Sequence, residues 1–195
     1  WGFRISVEEG YMKGPRLLVS GDILTQTGGA ADFRRSTDNV IPESGCVGLK
    51  SVVCDCEDGV RRAVREQLRK GADQVKVMAS GASTMGGGGL SATEFTVGEL
   101  SVAVCEAEAR GKYVMAHAHP PTSIKNCVEA GVRSIEHGNL IDEESARMMK
   151  EHGTYLVPTL ATYYEHSAAA EKSGFPNEAI QRLKLARDRS LGALR

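Results

Sequence analysis

Three residues in this sequence combine a polar head with an apolar setting. Lys76 sits inside Val75-Lys76-Val77-Met78-Ala79, His117 follows Tyr113-Val114-Met115-Ala116, and His137 follows Ser134-Ile135-Glu136. A charged amine buried in an apolar run is costly unless something pairs with it. A desolvated lysine is a capable nucleophile, and a neutral imidazole can act as base, hydrogen-bonding group or ligand. Taken singly, each residue has a structural reading: a snorkelling or ion-paired lysine, and histidines satisfied by ordinary hydrogen bonds. All three stand at or next to the ends of successive apolar runs, which favours one shared site over three accidents.

The elements that must position them recur along the chain. A polar helical stretch ends near a glycine, and a short apolar run follows. The unit appears at Val7-Glu8-Glu9-Gly10, continued to Gly14, before Arg16-Leu17-Leu18-Val19, and at Leu68-Arg69-Lys70-Gly71 before Gln74 to Met78. It returns at Glu108-Ala109-Arg110-Gly111 before Tyr113 to Ala116, at Val128-Glu129-Ala130-Gly131 before Val132 to Ile135, and at Lys150-Glu151-His152-Gly153 before Tyr155-Leu156-Val157. Glycine closes a helix in the left-handed conformation, and continuous apolar, β-branched runs suit strands buried on both faces. Alternation of this kind predicts an α/β fold with a parallel sheet. Helix starts are expected at Asp55 or Asp58, at Thr96 with Glu99 completing a capping box, and at Asp142. Thr25 to Asp55 and the glycine run Gly86 to Gly89 are expected to be loops, the latter a flexible lid, since no phosphate-cradle motif surrounds it. Both follow strand ends, the side on which active-site loops lie in a (β/α)₈ barrel. Polar residues at that face read as catalytic. Five strands do not close such a barrel, so the expected fold is an incomplete (β/α)₈ TIM-type barrel, roughly strands 3 to 7 with their helices. An open doubly wound sheet is the structural alternative.

Composition narrows the partners. The 195 residues are 41% apolar and 25% charged, with a net charge of -1, so neither nucleic acid nor an anionic membrane is expected as partner. No apolar run approaches a membrane span. Five scattered cysteines, Cys46, Cys54, Cys56, Cys105 and Cys127, read as free thiols in a reducing compartment, and a cytoplasmic location is the expectation. The opening Trp1-Gly2-Phe3-Arg4 is neither a signal peptide nor a usual start, so Trp1 reads as a cut point.

Gly71-Ala72-Asp73-Gln74-Val75-Lys76-Val77-Met78-Ala79-Ser80-Gly81 resembles the fourth-strand motif of the amidohydrolase superfamily. Ala116-His117-Ala118-His119 resembles its fifth-strand motif, Ser134-Ile135-Glu136-His137-Gly138 its sixth, and Tyr155-Leu156-Val157-Pro158-Thr159-Leu160 its seventh. Within the superfamily the likeness is to the imidazolonepropionase-like group, which includes Xaa-Pro dipeptidases, and Gly14-Pro15-Arg16 to Gly28-Gly29 also fits that group. The resemblance covers nearly the whole chain and implies one partial metal-dependent barrel domain over residues 1–195. It implies that Lys76 is carboxylated by carbon dioxide and bridges two divalent metal ions, zinc first, with manganese and cobalt remaining open. His117 and His137 would be ligands to the second metal, making these three both metal-binding and catalytic. The metals would acidify a bridging water and polarise the scissile carbonyl. The implied substrate is a small dipeptide or N-acyl amino acid cleaved at its amide bond, and a homo-oligomer is allowed for.

The secondary residues are less determined. His119 is expected to point away from His117 while the strand stays regular, although Pro120-Pro121 could place it in a loop. Substrate contact is weighed there against a structural role. Glu136 is expected to point away from His137 as an ion-pair or supporting partner. Thr159 and Tyr163, past the seventh strand, are expected to line the substrate pocket. Amidohydrolases normally add a His-x-His pair and an aspartate from other strands. Neither is found, since His152 and His166 fall on helical stretches. The chain is therefore expected to be an internal piece, inactive by itself. Two competing readings stand beside the hydrolase: a Schiff-base lysine lyase of the barrel aldolase kind, and a non-catalytic barrel remnant.

Overall fold

Short runs such as Val75-Lys76-Val77-Met78 alternate one side chain against helices and the next against the opposite face, as period-two backbone requires. In the computed structural model, which describes residues 1–34, 36–38, 50–84 and 88–194, these runs form one six-stranded sheet. The strands are β1 (Ile23–Thr25), β2 (Ser51–Val53), β3 (Val75–Met78), β4 (Val114–Ala118), β5 (Ser134–His137) and β6 (Tyr155–Val157). Every pairing is parallel, in the order β2-β1-β3-β4-β5-β6, and the sheet is not closed. The helices are α1 (Gly2–Glu8), α2 (Cys56–Arg69), α3 (Val97–Glu108), α4 (Pro121–Glu129), α5 (Glu143–His152), α6 (Leu160–Ala170) and α7 (Asn177–Ser190).

Helices α2, α3, α4 and α5 pack each on the next in chain order. Their apolar faces meet Val75, Val77, Ala79, Val114, Ala116, Ala118 and Ile135 in a single core. Sequential helices sharing one core on one face are the outer wall of a (β/α)₈ barrel, here partial; a doubly wound sheet would divide its helices between two faces. The opposite face carries a small cluster of Ala30, Ala31, Met78 and Ala82 with Ile23. Helices α6 and α7 form a separate hairpin core of Tyr163, Ala170, Leu183 and Ala186, capped by Leu90.

The expected helix signals act as read at two of three starts. Thr96 and Glu99 form a reciprocal capping box on α3, and Asp142 accepts the Ser145 N–H at 2.7 Å on α5. Asp55 occupies the N-cap position of α2, but its carboxylate is spent on the Thr27 N–H and hydroxyl, so it makes no cap bond. Gly71, Gly111, Gly131 and Gly153, which follow α2 to α5, all have positive φ.

The first unit differs from expectation. Arg16 to Val19 is not a strand: Val19 exchanges bonds with Asp73, donating its N–H to the carboxylate and accepting the Asp73 N–H, and Leu18 is exposed. The sheet begins instead at Ile23, and the stretch read as loop from Thr25 to Asp55 contains β2. In the sequence neither strand follows the polar helical stretch and closing glycine that mark the later ones. Cys46 and the lid residues Gly86 and Gly87 lie outside the described residues; Cys54, Cys56, Cys105 and Cys127 are free thiols. Among the described residues no helix is long and apolar enough to cross a membrane.

Candidate active site

Strand register decides which side chains meet. Lys76 pairs with Met115, Met78 with His117, His117 with Glu136, and Ala118 with His137. Val75 and Val77 belong to the helix-packed core, so Lys76 between them faces the inner side of the sheet. His117 alternates with Ala116 and Ala118 in the same way and faces inward too.

His137 shares its register with Ala118, which packs towards the helices, so a regular strand would turn its ring outward. It does not follow that rule. Its φ of 78° ends the strand in the left-handed region, and its ring centroid lies 4.6 Å from that of His117. His119 lies just beyond β4, with its ring 4.5 Å from His117 and 5.4 Å from His137. The expectation that His119 points away from His117 is therefore overturned. Residues two apart share a face, and extended backbone carried one residue past the strand keeps both rings together. Tyr163, from the first turns of α6, completes the ring cluster at 5.6 Å from His137 and 6.1 Å from His119.

The hydrogen bonds specify which nitrogens are free. His117 Nε2 lies 3.2 Å from the Gly81 carbonyl, an acceptor only, so Nε2 carries the proton and Nδ1 keeps its lone pair. His137 Nδ1 lies 2.6 Å from Thr159 Oγ1, leaving Nε2 free. Both nitrogens of His119 are buried and have no hydrogen-bond partner among the described residues. The nearby Asn139 amide nevertheless raises that ring's pKa, and it donates its own N–H to Ser190. Ser80, fully buried, accepts the His119 N–H and donates to the Gly81 carbonyl, fixing the turn after β3.

Burial sets the protonation states. Desolvation drives the His117 pKa well below its ordinary value, with His119, His137 and Lys76 adding repulsion. His119 is lowered to about 4, first by burial, and His137 to about 3 by burial, His119 and Lys76. All three imidazoles are neutral near pH 7 and present lone pairs. Burial also lowers Lys76 to about 8, against an opposing pull from Glu136. Glu136 is buried and accepts the Ser134 hydroxyl at 2.8 Å. It thus lies within electrostatic reach of Lys76 as a supporting group.

Lone pairs on neutral rings, each with its second nitrogen engaged at His117 and His137, fit part of a divalent-cation site. Among the described residues no group of three or more His, Cys, Asp or Glu side chains is placed to hold a metal ion by itself. The sequence signals picked out Lys76, His117 and His137 and brought Thr159 and Tyr163 to the same place. They did not reveal Ser80, Asn139 or the tight turn at Gly138, which depend on contacts between loops.

Comparison with known proteins gives the family and the fold. The profile of the amidohydrolase family matches residues 4–190. Ochratoxinase of Aspergillus niger is 34% identical over 197 aligned residues, which cover 96% of this chain and 41% of that protein. The structure of a prolidase complexed with N-methylphosphonate-L-proline superposes with a TM-score of 0.92 at 41% identity, covering 100% of this chain and 48% of the other. A Xaa-Pro dipeptidase with methionine bound in its active site gives a TM-score of 0.82 at 30% identity, covering 97% and 46%. The chain spans a little under half the length of each of these relatives.

Proposed function

The chain belongs to the amidohydrolase family, and from that premise we propose that the protein is a metal-dependent hydrolase cleaving the amide bond of a small, dipeptide-like substrate. The observation that carries this reading is the meeting of Lys76, His117 and His137, from three adjacent parallel strands, on the inner face of the sheet. His117 would hold a divalent cation through Nδ1 and His137 through Nε2, the nitrogens that their other hydrogen bonds leave free. Lys76 answers its own burial by carboxylation. The neutral amine adds to carbon dioxide: an N–C bond forms as one C=O π pair moves onto oxygen and one proton leaves, giving an anionic carbamate that would hold divalent cations. Desolvation favours the neutral amine that this addition needs. When bound, divalent cations, zinc first, acidify water and polarise a carbonyl. Remaining ligands would come from the rest of the barrel, and residues 1–195 alone would not turn over substrate.

His119 and Tyr163 would face the substrate. His119 brings a buried neutral ring with the Asn139 amide beside it, and Tyr163 a phenol held protonated by burial, with Ser83 beside it. The names of the similar proteins, a prolidase, a Xaa-Pro dipeptidase and ochratoxinase, support dipeptides and N-acyl amino acids as the compounds to try first.

The test is metal analysis and hydrolysis of such amides by the full-length protein. Lys76→Ala is expected to lower both metal occupancy and turnover, the latter by more than the roughly hundredfold that loss of an outer-shell partner can cost. Unchanged metal content and unchanged hydrolysis in that variant would overturn the assignment. Borohydride trapping of a carbonyl compound on Lys76 would replace it with a Schiff-base mechanism.

A further inference from the structure

Thr159 stands at the N-cap position of α6, yet its side chain makes no cap hydrogen bond. A threonine there ordinarily accepts a backbone N–H from the first helical turn. Here the hydroxyl is 2.6 Å from His137 Nδ1 instead. The backbone shows a second departure. Thr159 has φ of 48° and His137 has φ of 78°, two of the four non-glycine residues with positive φ among those described. A β-branched residue is sterically disfavoured in that region, and such conformations persist where the surroundings over-determine them. An unused cap and a disfavoured backbone at one residue are both accounted for if the hydroxyl is required at His137. Strand register would turn His137 outward with Ala118; the left-handed backbone and the Thr159 bond hold its ring beside His117.

We propose that Thr159 is a positioning residue whose hydroxyl oxygen accepts the proton of His137 Nδ1–H, fixing one tautomer and leaving the Nε2 lone pair free for a divalent cation. The assignment deepens the proposed function and rests on His137 being a ligand. It gives the two rings opposite tautomers. His117 is protonated at Nε2, against the Gly81 carbonyl, and presents Nδ1; His137 is protonated at Nδ1 and presents Nε2. A hydroxyl can donate as well as accept, and donation to Nδ1 would place the proton on Nε2 and block that lone pair. The two arrangements are spectroscopically distinct.

The experiment uses the full-length protein, metal-free and labelled with ¹⁵N at histidine, with the His137 signals assigned by loss in His137→Gln. Long-range proton–nitrogen correlation at one fixed pH is expected to show His137 Nδ1 protonated and Nε2 unprotonated. Thr159→Val should move the proton wholly or partly to Nε2, and Thr159→Ser should restore it. A proton on Nε2 in the unsubstituted protein overturns the proposal, with no variant needed to fold. So does a Thr159→Val spectrum that keeps the proton on Nδ1. Zinc is then added. The unsubstituted protein should show a shifted His137 Nε2, and Thr159→Val should bind zinc about tenfold more weakly. If the tautomer behaves as expected but zinc leaves Nε2 unmoved, the ligand reading fails while the positioning role holds.

Discussion

Glu94 offers a measurement that isolates one buried charge. It lies between β3 and α3, 2% exposed, with Oε1 accepting the Ala30 N–H at 2.6 Å and Oε2 accepting the Thr25 hydroxyl at 3.2 Å. No ion pair to it is seen among the described residues. Burial pushes its carboxyl up from 4.5 to about 7, the two hydrogen bonds pulling the other way. A carboxyl whose pKa rises on folding stabilises the fold in its protonated form. Its contribution is complete below the unfolded value of 4.5 and is lost as the pH climbs through about 7. The rise is worth about 3 kcal/mol between the fully protonated and fully ionised limits, of which about 2.5 kcal/mol disappears between pH 5 and pH 8.

Glu94→Gln removes that dependence without changing the shape. The amide oxygen can accept the Ala30 N–H, and the amide nitrogen can donate to Thr25 Oγ1, which already accepts the Ala31 N–H. Glutamine therefore imitates the protonated acid at every pH. Thermal and urea unfolding of both proteins at pH 5 and pH 8 should show the variant gaining on the parent by about 2.5 kcal/mol as pH rises, or roughly 5–10 °C in Tm. Other titrating groups are common to both proteins and cancel in the difference. Parallel curves, or a variant that loses ground at pH 8, would refute the argument by showing that Glu94 is ionised in the fold or not buried.

Two further outcomes follow from local geometry. Thr96→Ala removes the acceptor of the Glu99 N–H and one donor to the Glu99 carboxylate, and it should cost about 1 kcal/mol in urea unfolding. Thr96→Ser should recover most of it. Gly138→Ala places a methyl 2.6 Å from Leu156 Cδ1 at a residue with φ of 60°, so it should destabilise by about 1–2 kcal/mol from backbone strain alone. A Gly138→Ala protein melting at the parent's temperature would show that the turn after His137 does not need its left-handed form.

Sequence patterns reported what local chemistry controls. The capping box on α3, the Asp142 cap on α5 and the four strands β3 to β6 each carry their signal within a few residues. Lys76 faces inward because valines flank it, and that too is readable from period two. What was not readable falls into two kinds. β1 and β2 lack the helical stretch and glycine that precede β3 to β6 in the sequence, and the more apolar Arg16 to Val19 is claimed by Asp73, a partner 54 residues away from Val19. The direction of His119, by contrast, obeys the same period-two rule as Lys76: residues 117 and 119 share a face of any extended segment.

His137 and Thr159 belong to the other kind. Period two assigns His137 to the helix side, and the N-cap preference assigns the Thr159 hydroxyl to its own helix; both local rules are broken, and by the same 2.6 Å contact. Two local rules broken independently would be two sources of strain without a return. Broken together, each removes the other's anomaly: the ring turned inward needs a partner for Nδ1, and the hydroxyl freed from capping supplies it. Conflict between local preference and observed structure is expected where a site imposes its own geometry. Here it concentrates at the ends of two neighbouring strands, on the face where Lys76 and His117 already converge.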